Sequence, residues 1–197
     1  MTKFLLVRHG QTDWNQLGRY QGHVDTPLND TGRSQARILA SQVPKDSIAA
    51  IYSSDLIRAL ETAKIIASKL NARVFIDHRL REIRLGEWEG MYIDDIVNKY
   101  PQDWSWRQID PVNARSPRGE SLGELADRLN EFMDEVVELN PGDQVMLVSH
   151  GLASATLLCL ANGIPLGEAY QNIPDNGKII EIYWPPLSLS SNSAKSN

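Results

Sequence analysis

Two histidines, each followed by glycine, are the residues around which a chemistry can be built: His9 in Leu6-Val7-Arg8-His9-Gly10 and His150 in Val148-Ser149-His150-Gly151. A neutral imidazole at His9 can attack phosphorus and form a phosphohistidine, splitting one difficult displacement into two. Phosphoryl transfer also needs positive charge on the equatorial oxygens and a proton for the departing alkoxide. The chain has a candidate for each role. Arg8 and Arg58 offer planar donor forks that match phosphate oxygens. Asn15 adds a neutral donor, and His150, if protonated, a second cationic one. Glu82, in Leu80-Arg81-Glu82-Ile83, is the candidate proton donor, a role that asks for surroundings favouring its neutral form, such as burial. No metal enters this scheme. The chain lacks a cluster of Asp and His at ligand spacing and the Gly-rich Lys-Ser/Thr loop of nucleotide-binding proteins, so no cofactor is expected and chelators should not inhibit.

Taken singly, each residue has a structural reading. An Arg-His-Gly triplet at a strand end is weak evidence, Arg58 alone reads as a solvated helix residue, and Glu82 is one of 25 acidic residues. His150 alone reads as a hydrogen-bonded core histidine. His23, in a loop, and His78, between Asp77 and Arg79, have no such companions and are assigned structural roles. The occurrence of the whole set in one chain points to catalysis.

The elements that must position this set follow from hydrophobic spacing. Lys3 to Val7 reads as a strand opening into a long loop with Gly10, Asn15 and Gly18, which puts His9 at the strand's C-terminal end. Asp30 to Val43 has helical spacing and stops before Pro44. Strands follow at Ile48 to Tyr52 and Val74 to Ile76, flanking a helix expected to be capped by Asp55 and to run to Leu70. Ser121 with Glu124 reads as a capping box for a helix ending at Asn140-Pro141-Gly142. Val145 to Val148 is a strand delivering His150, followed by a helix to about Asn162, and Ile179 to Tyr183 is a last strand. Alternating strands and helices imply a three-layer α/β/α sandwich with a largely parallel central sheet, which binds ligands at the carboxyl ends of its strands. One domain is expected over residues 1–187, with an irregular inserted cover at about 80–119 and a disordered Ser- and Asn-rich tail at 188–197. The cover holds three of the five tryptophans. Only Tyr92 to Lys99 reads as helical there. Arg107, Arg115 and Arg118 are candidates to meet a second anionic group, and Trp104 and Trp106 to line an apolar pocket, although solvated and core roles suit them as well.

Composition restricts the alternatives. The formal net charge of -5 argues against a general nucleic-acid binder, so any anion site must be local. No apolar stretch is long enough to span a bilayer, and the N-terminus has no secretory pattern. A membrane partner is therefore not expected and a cytoplasmic location is. The single cysteine, Cys159, lies in an apolar stretch and reads as a small core hydrophobe in a reducing compartment.

With these motifs in order, the chain resembles the histidine phosphatase superfamily, the phosphoglycerate mutase-like group, over roughly residues 3 to 183. Leu6 to Thr12 with Trp14-Asn15 resembles its nucleophile motif, and Pro27-Leu28 through Thr31-Gly32 with Gln35-Ala36 the segment that follows. Ile51 to Asp55 with Arg58-Ala59 and Thr62-Ala63 is similar to its second phosphate-arginine motif, Leu80-Arg81-Glu82 with Gly86 to Gly90 to its acid motif, and Val148 to Gly151 to its second-histidine motif. The resemblance implies a phosphoglycerate mutase-like fold, His9 as nucleophile, Glu82 as proton donor, and a phosphate site of Arg8, Asn15, Arg58 and His150, joined by Gln21, Gly22 and Gly151. It implies a small phosphomonoester as substrate and suggests a homodimer by analogy. Cofactor-dependent mutases of the family carry a Glu-Arg-His-Tyr-Gly run after the acid. This chain has Glu82-Ile83-Arg84-Leu85-Gly86 and a shorter cover, which resembles the small phosphatases, with water as acceptor. Gly18 to Gly22 and Lys99 to Asp103 are similar to metal-independent phosphoserine phosphatases, while Gly86 to Met91 and Gly119 to Ser121 also occur among ribazole-phosphate and fructose-2,6-bisphosphate phosphatases. A mutase remains the alternative enzyme. A silent binding module is disfavoured because all six proposed positions hold competent side chains.

Overall fold

A computed structural model describes residues 1–186; the expected tail at 188–197 lies outside them. Five strands, β1 (Thr2–Arg8), β2 (Ala50–Ser53), β3 (Val74–Ile76), β4 (Gln144–Ser149) and β5 (Ile179–Trp184), form one sheet in the order β3-β2-β4-β1-β5. The pairs β3-β2, β2-β4 and β4-β1 are parallel, and only the edge strand β5 runs antiparallel, against β1. The helices are α1 (Asp13–Gln16), α2 (Asp30–Gln42), α3 (Ile57–Leu70), α4 (Ile93–Lys99), α5 (Pro101–Ile109), α6 (Leu122–Leu139) and α7 (Gly151–Asn162).

Strand alternation divides the core between the two faces of the sheet. Phe4, Leu6, Val145 and Leu147 pack with Leu125, Leu129 and Phe132 of α6 and Leu157 of α7. Leu5, Val7, Met146 and Val148 pack with Leu39 of α2 and Ala59, Ala63 and Ile66 of α3. Both faces of β1 and β4 are thus covered, which is why these strands read as unbroken apolar runs. Cys159 is fully buried in the first cluster, as its apolar neighbours imply. No helix among the described residues is long and apolar enough to cross a membrane.

Three local expectations need correction. Asp55 does not cap α3: the helix begins two residues later, Leu56 at its N-cap makes no side-chain cap bond, and the Ile57 N–H donates instead to Asp25 Oδ1 at 2.6 Å. Asp55 is drawn away by Arg81, whose Nε donates to Asp55 Oδ1 at 2.7 Å and whose Nη2 meets Oδ2. The segment after His9 is not all loop, since Thr12 and Asn15 form a capping box that nucleates α1. The cover is more regular than its prolines and tryptophans suggest: Pro101 sits at the first position of α5, where its missing N–H and fixed φ suit a helix start.

The capping box of α6 is as expected. Ser121 Oγ accepts from the Glu124 N–H at 3.2 Å and Glu124 Oε2 accepts from the Ser121 N–H at 2.9 Å. Ser121 is buried, and α6 carries seven buried residues into the core. Ser121→Ala should therefore cost about 1 kcal/mol, read as a lower urea midpoint at unchanged slope. An unchanged midpoint would show that the cap contributes nothing net.

Candidate active site

Parallel pairing of β1 with β4 brings the two His-Gly segments side by side. Arg8 is opposite Ser149, the His9 N–H donates to the Ser149 carbonyl at 2.9 Å, and the two imidazole centroids lie 5.2 Å apart at 61°. His9 Nδ1 lies 2.7 Å from the Gly10 carbonyl. A carbonyl can only accept, so Nδ1 carries the proton and Nε2 keeps its lone pair. Burial, then the charges of Arg58 and Arg8, push the His9 pKa well below the ordinary value, so the ring is neutral at physiological pH. That is the form a nucleophile requires.

Arg58 enters from the first turn of α3 and is 1 % exposed. Its Nη1 and Nη2 donate to the carbonyls of Val24 and Gly22, at 2.8 and 2.7 Å. Burial lowers its pKa to about 10, which leaves it charged at neutral pH. Gly22 has φ +51°, and a Cβ there would stand 2.4 Å from Glu89 Oε1, so its glycine character serves to aim a carbonyl at Arg58. Arg8 donates from Nη1 to the Pro174 carbonyl at 2.7 Å and lies against Gly151, whose Cβ would come within 3.3 Å of Arg8 Nε. Arg8 Nε, Arg58 Nε and His150 Nδ1 are all buried with no hydrogen-bond partner among the described residues. Buried polar atoms normally find partners; here the charges of Arg8 and Arg58 act on His9, and the His150 ring lies 5.2 Å from it. Asn15 Oδ1 accepts from the Thr12 N–H and hydroxyl, so the donor end of its amide is the one offered to the pocket. Gln21 Oε1 accepts from Thr12 and Thr26.

The condition placed on His150, that it be protonated to act as a cationic donor, meets surroundings that oppose it. His150 is fully buried, its Nε2 bonds Ser54 Oγ at 2.8 Å, and burial with the charge of Arg58 pushes its pKa well below the ordinary value. Burial first, and then the charge of Arg58, favour its neutral form, while a bound phosphate dianion would favour the charged one.

Glu82 is half-buried, and its carboxyl accepts from the N–H groups of Ile83 (3.0 Å), Leu152 and Ala153 (3.1 Å each). It therefore sits on the N-terminus of α7, the helix whose N-cap is His150. Its main-chain carbonyl is gripped by Arg128 Nη2 at 3.0 Å and His23 Nε2 at 2.7 Å. His23, assigned a structural role for want of partners, thus has one, and holds the segment carrying the acid. Arg8, His9, Asn15, Gln21, Arg58 and Glu82 line one pocket of about 320 Å³, as do Gly22 and Gly151. These residues, with His150 against His9, are therefore brought to one place, at the carboxyl ends of β1 and β4.

The sequence profile of the Histidine phosphatase superfamily (branch 1) matches residues 4–188. The chain belongs to this superfamily. Members similar to it include the probable phosphoglycerate mutase GpmB of Serratia proteamaculans, 40 % identical over 84 % of this chain and 77 % of the relative. Phosphoserine phosphatase 1 of Hydrogenobacter thermophilus is 34 % identical over 93 % of this chain and 87 % of its own. Among solved structures, the mycobacterial glucosyl-3-phosphoglycerate phosphatase superposes with a TM-score of 0.82 at 33 % identity, covering 91 % of this chain and 90 % of that one. The α-ribazole phosphatase of Shigella flexneri gives 0.83 at 28 %, covering 92 % and 90 %. The histidine phosphatase fold and the phosphomonoester hydrolase class follow.

In this superfamily member several supporting residues were not evident from the sequence. Ser54, just after β2, bonds His150, and Thr62 links the Gly10 N–H to the Arg58 carbonyl at 3.0 and 2.7 Å. Asn176 Nδ2 donates to the His9 carbonyl at 2.8 Å. The cluster Pro174-Asp175-Asn176-Gly177 was the available signal for Asn176, being turn chemistry just before a strand. Of the cover residues singled out, Arg107 lines the pocket, whereas Arg115 pairs with Glu124 and Arg118 lies near Glu87, both exposed. Trp104 packs on Trp88 and Trp106 is exposed, so neither lines the pocket.

Proposed function

We propose that the chain hydrolyses a small phosphomonoester through a phosphohistidine on His9, without a metal ion. The observation that carries this reading is that His9, with its Nδ1 committed to the Gly10 carbonyl and its Nε2 lone pair free, stands beside three buried nitrogens that lack partners among the described residues, Arg8 Nε, Arg58 Nε and His150 Nδ1. In the first step Nε2 attacks phosphorus and the P–O bond to the leaving group breaks, while Glu82 gives its proton to the departing oxygen. In the second, Glu82 takes a proton from water as that oxygen attacks phosphorus and the P–N bond breaks, returning both residues to their starting state. Arg8, Arg58, Asn15 and His150 bear on the equatorial oxygens, where charge is concentrated. Gln21, Gly22 and Gly151 shape the rim: Gly151 admits the Arg8 guanidinium and Gly22 fixes Arg58. Side chains supply all the cationic charge in this scheme.

The expected result is release of phosphate from p-nitrophenyl phosphate and from at least one of phosphoserine, phosphoglycerates, sugar phosphates and ribazole phosphate, undiminished by excess EDTA. No release from any of them, or complete loss with EDTA, would refute it. A mutase reading has the name of the Serratia relative in its favour. A coupled assay with 3-phosphoglycerate and bisphosphoglycerate decides between them, since isomerisation outpacing phosphate release would establish the mutase.

A further inference from the structure

Glu82 lies between β3 and α4, outside any strand or α-helix, so the backbone that carries the proposed proton donor has no ladder to fix it. Side chains fix it instead. The four consecutive carbonyls from Arg79 to Glu82 each accept from one: Leu80 from Ser149 Oγ at 2.8 Å, Glu82 from His23 Nε2 at 2.7 Å, and Arg79, Arg81 and Glu82 from Arg128 of α6.

Arg128 contributes most of these bonds. Its Nη1 donates to the Arg79 carbonyl and, at 2.9 Å, to that of Arg81, while Nη2 donates to that of Glu82 at 3.0 Å. The remaining donors go to Glu120, Nε to Oε1 at 2.7 Å and Nη2 to Oε2 at 3.0 Å. A guanidinium has five N–H donors in one rigid plane, and here all five are used. Glu120 in turn accepts from the Arg84 N–H at 3.2 Å and donates its own N–H to the Arg84 carbonyl at 2.8 Å, so the pair brackets Glu82 on both sides. At the other end of the residue, the Glu82 carboxyl meets the N–H groups of Leu152 and Ala153. Its backbone is thus held from α6 and its carboxyl from α7. A proton donor works only within hydrogen-bond reach of the leaving oxygen, and a misplacement of about 1 Å can cost on the order of 10²-fold in rate.

We infer that Arg128, oriented by Glu120, is the positioning residue of the proton donor and sets where the Glu82 carboxyl meets the leaving oxygen. Arg128 does not line the pocket, so it acts through the backbone it holds and serves protonation of the leaving group. This rests on the phosphatase reading proposed above, with Glu82 as its acid.

The test uses p-nitrophenyl, phenyl and benzyl phosphate, esters of similar size whose leaving oxygens are progressively more basic and so depend progressively more on a donated proton. Here kcat/KM covers the steps up to loss of the leaving group. In wild-type enzyme it is expected to fall little along the series, because Glu82 supplies the proton, and Glu82→Gln should make the fall steep. Arg128→Met should reproduce that steepening in weaker form, losing roughly ten- to a hundredfold on benzyl phosphate and about threefold on p-nitrophenyl phosphate. Arg128→Lys keeps the charge but replaces the five-donor fork with three donors on one atom, and should lie between; it carries the same comparison if the methionine variant does not fold. In the Glu82→Gln background neither change should steepen the series further. A purely structural role would lower all three esters equally, and that result, or a lysine variant indistinguishable from wild type, would overturn the inference. A series already steep in wild type, or left flat by Glu82→Gln, would remove the acid assignment and this inference while the phosphatase reading stands. Wild-type enzyme that releases phosphate from none of the three would fail that reading and this inference together.

Discussion

His9→Ala is expected to abolish turnover, with a loss in kcat on the order of 10⁴ to 10⁶, the scale seen when a covalent nucleophile is removed. The fold should survive. The contacts that hold this position in the sheet end are made by the main chain: the His9 N–H donates to Ser149, and Asn176 donates to the His9 carbonyl. The imidazole's own bond is to the carbonyl of the next residue, Gly10. Far-UV circular dichroism and the urea midpoint should therefore stay close to wild type while phosphate release disappears. Wild-type enzyme quenched in alkali during turnover should retain protein-bound phosphate, because a phosphoramidate survives base, and the variant should retain none. Near-normal turnover in the variant would refute the nucleophile assignment.

His9 could be read from the sequence because strand periodicity is local. Lys3 to Val7 and Val145 to Val148 are short apolar runs, each ending in a polar His-Gly, and a parallel sheet places such ends on one edge. The strand order is not local: that β4 lies between β2 and β1, and that β5 turns antiparallel, follows from packing over the whole chain. The misplaced cap shows the same limit. Asp55 has the right type and position to cap α3, yet Arg81 takes its carboxylate and Asp25, 32 residues before Ile57, supplies the cap. This exchange places the residue next to Glu82 in an ion pair, so a local rule failed where a long-range contact serves the site. The supports of Glu82 were hidden for a similar reason, since Arg128 and His23 reach its carbonyl from 46 and 59 residues away. The charge state of His150 was left conditional by the sequence because it depends on burial and neighbours, which residue type does not reveal.

Arg58→Met is the most informative change after loss of the nucleophile, because Arg58 acts on both the phosphate and the histidines. Its positive charge ranks second only to burial in holding the pKa of His9 and of His150 below the ordinary value. A fork aimed at charge that develops in the transition state accounts for a loss on the order of 10³ in kcat/KM when removed. Methionine keeps much of the buried volume and removes a charge that is costly to bury, which offsets the lost bonds to Gly22 and Val24 and favours a folded variant. The sign of the pH effect follows. A lowered histidine pKa keeps His9 neutral, and so nucleophilic, to more acidic pH; removing the adjacent cation makes the imidazolium easier to form. The acid limb of kcat/KM, which reports groups of the free enzyme, should therefore move to higher pH in Arg58→Met. Because the two rings lie 5.2 Å apart, the limb belongs to the pair rather than to either histidine. Arg58→Lys separates the two functions: it retains the charge and should leave the acid limb near its wild-type position, yet it loses the planar fork and should still be slow. An unmoved limb in the methionine variant would mean that burial and the remaining neighbours, Arg8 among them, set the histidine charge state, and Arg58 would then be a phosphate ligand only.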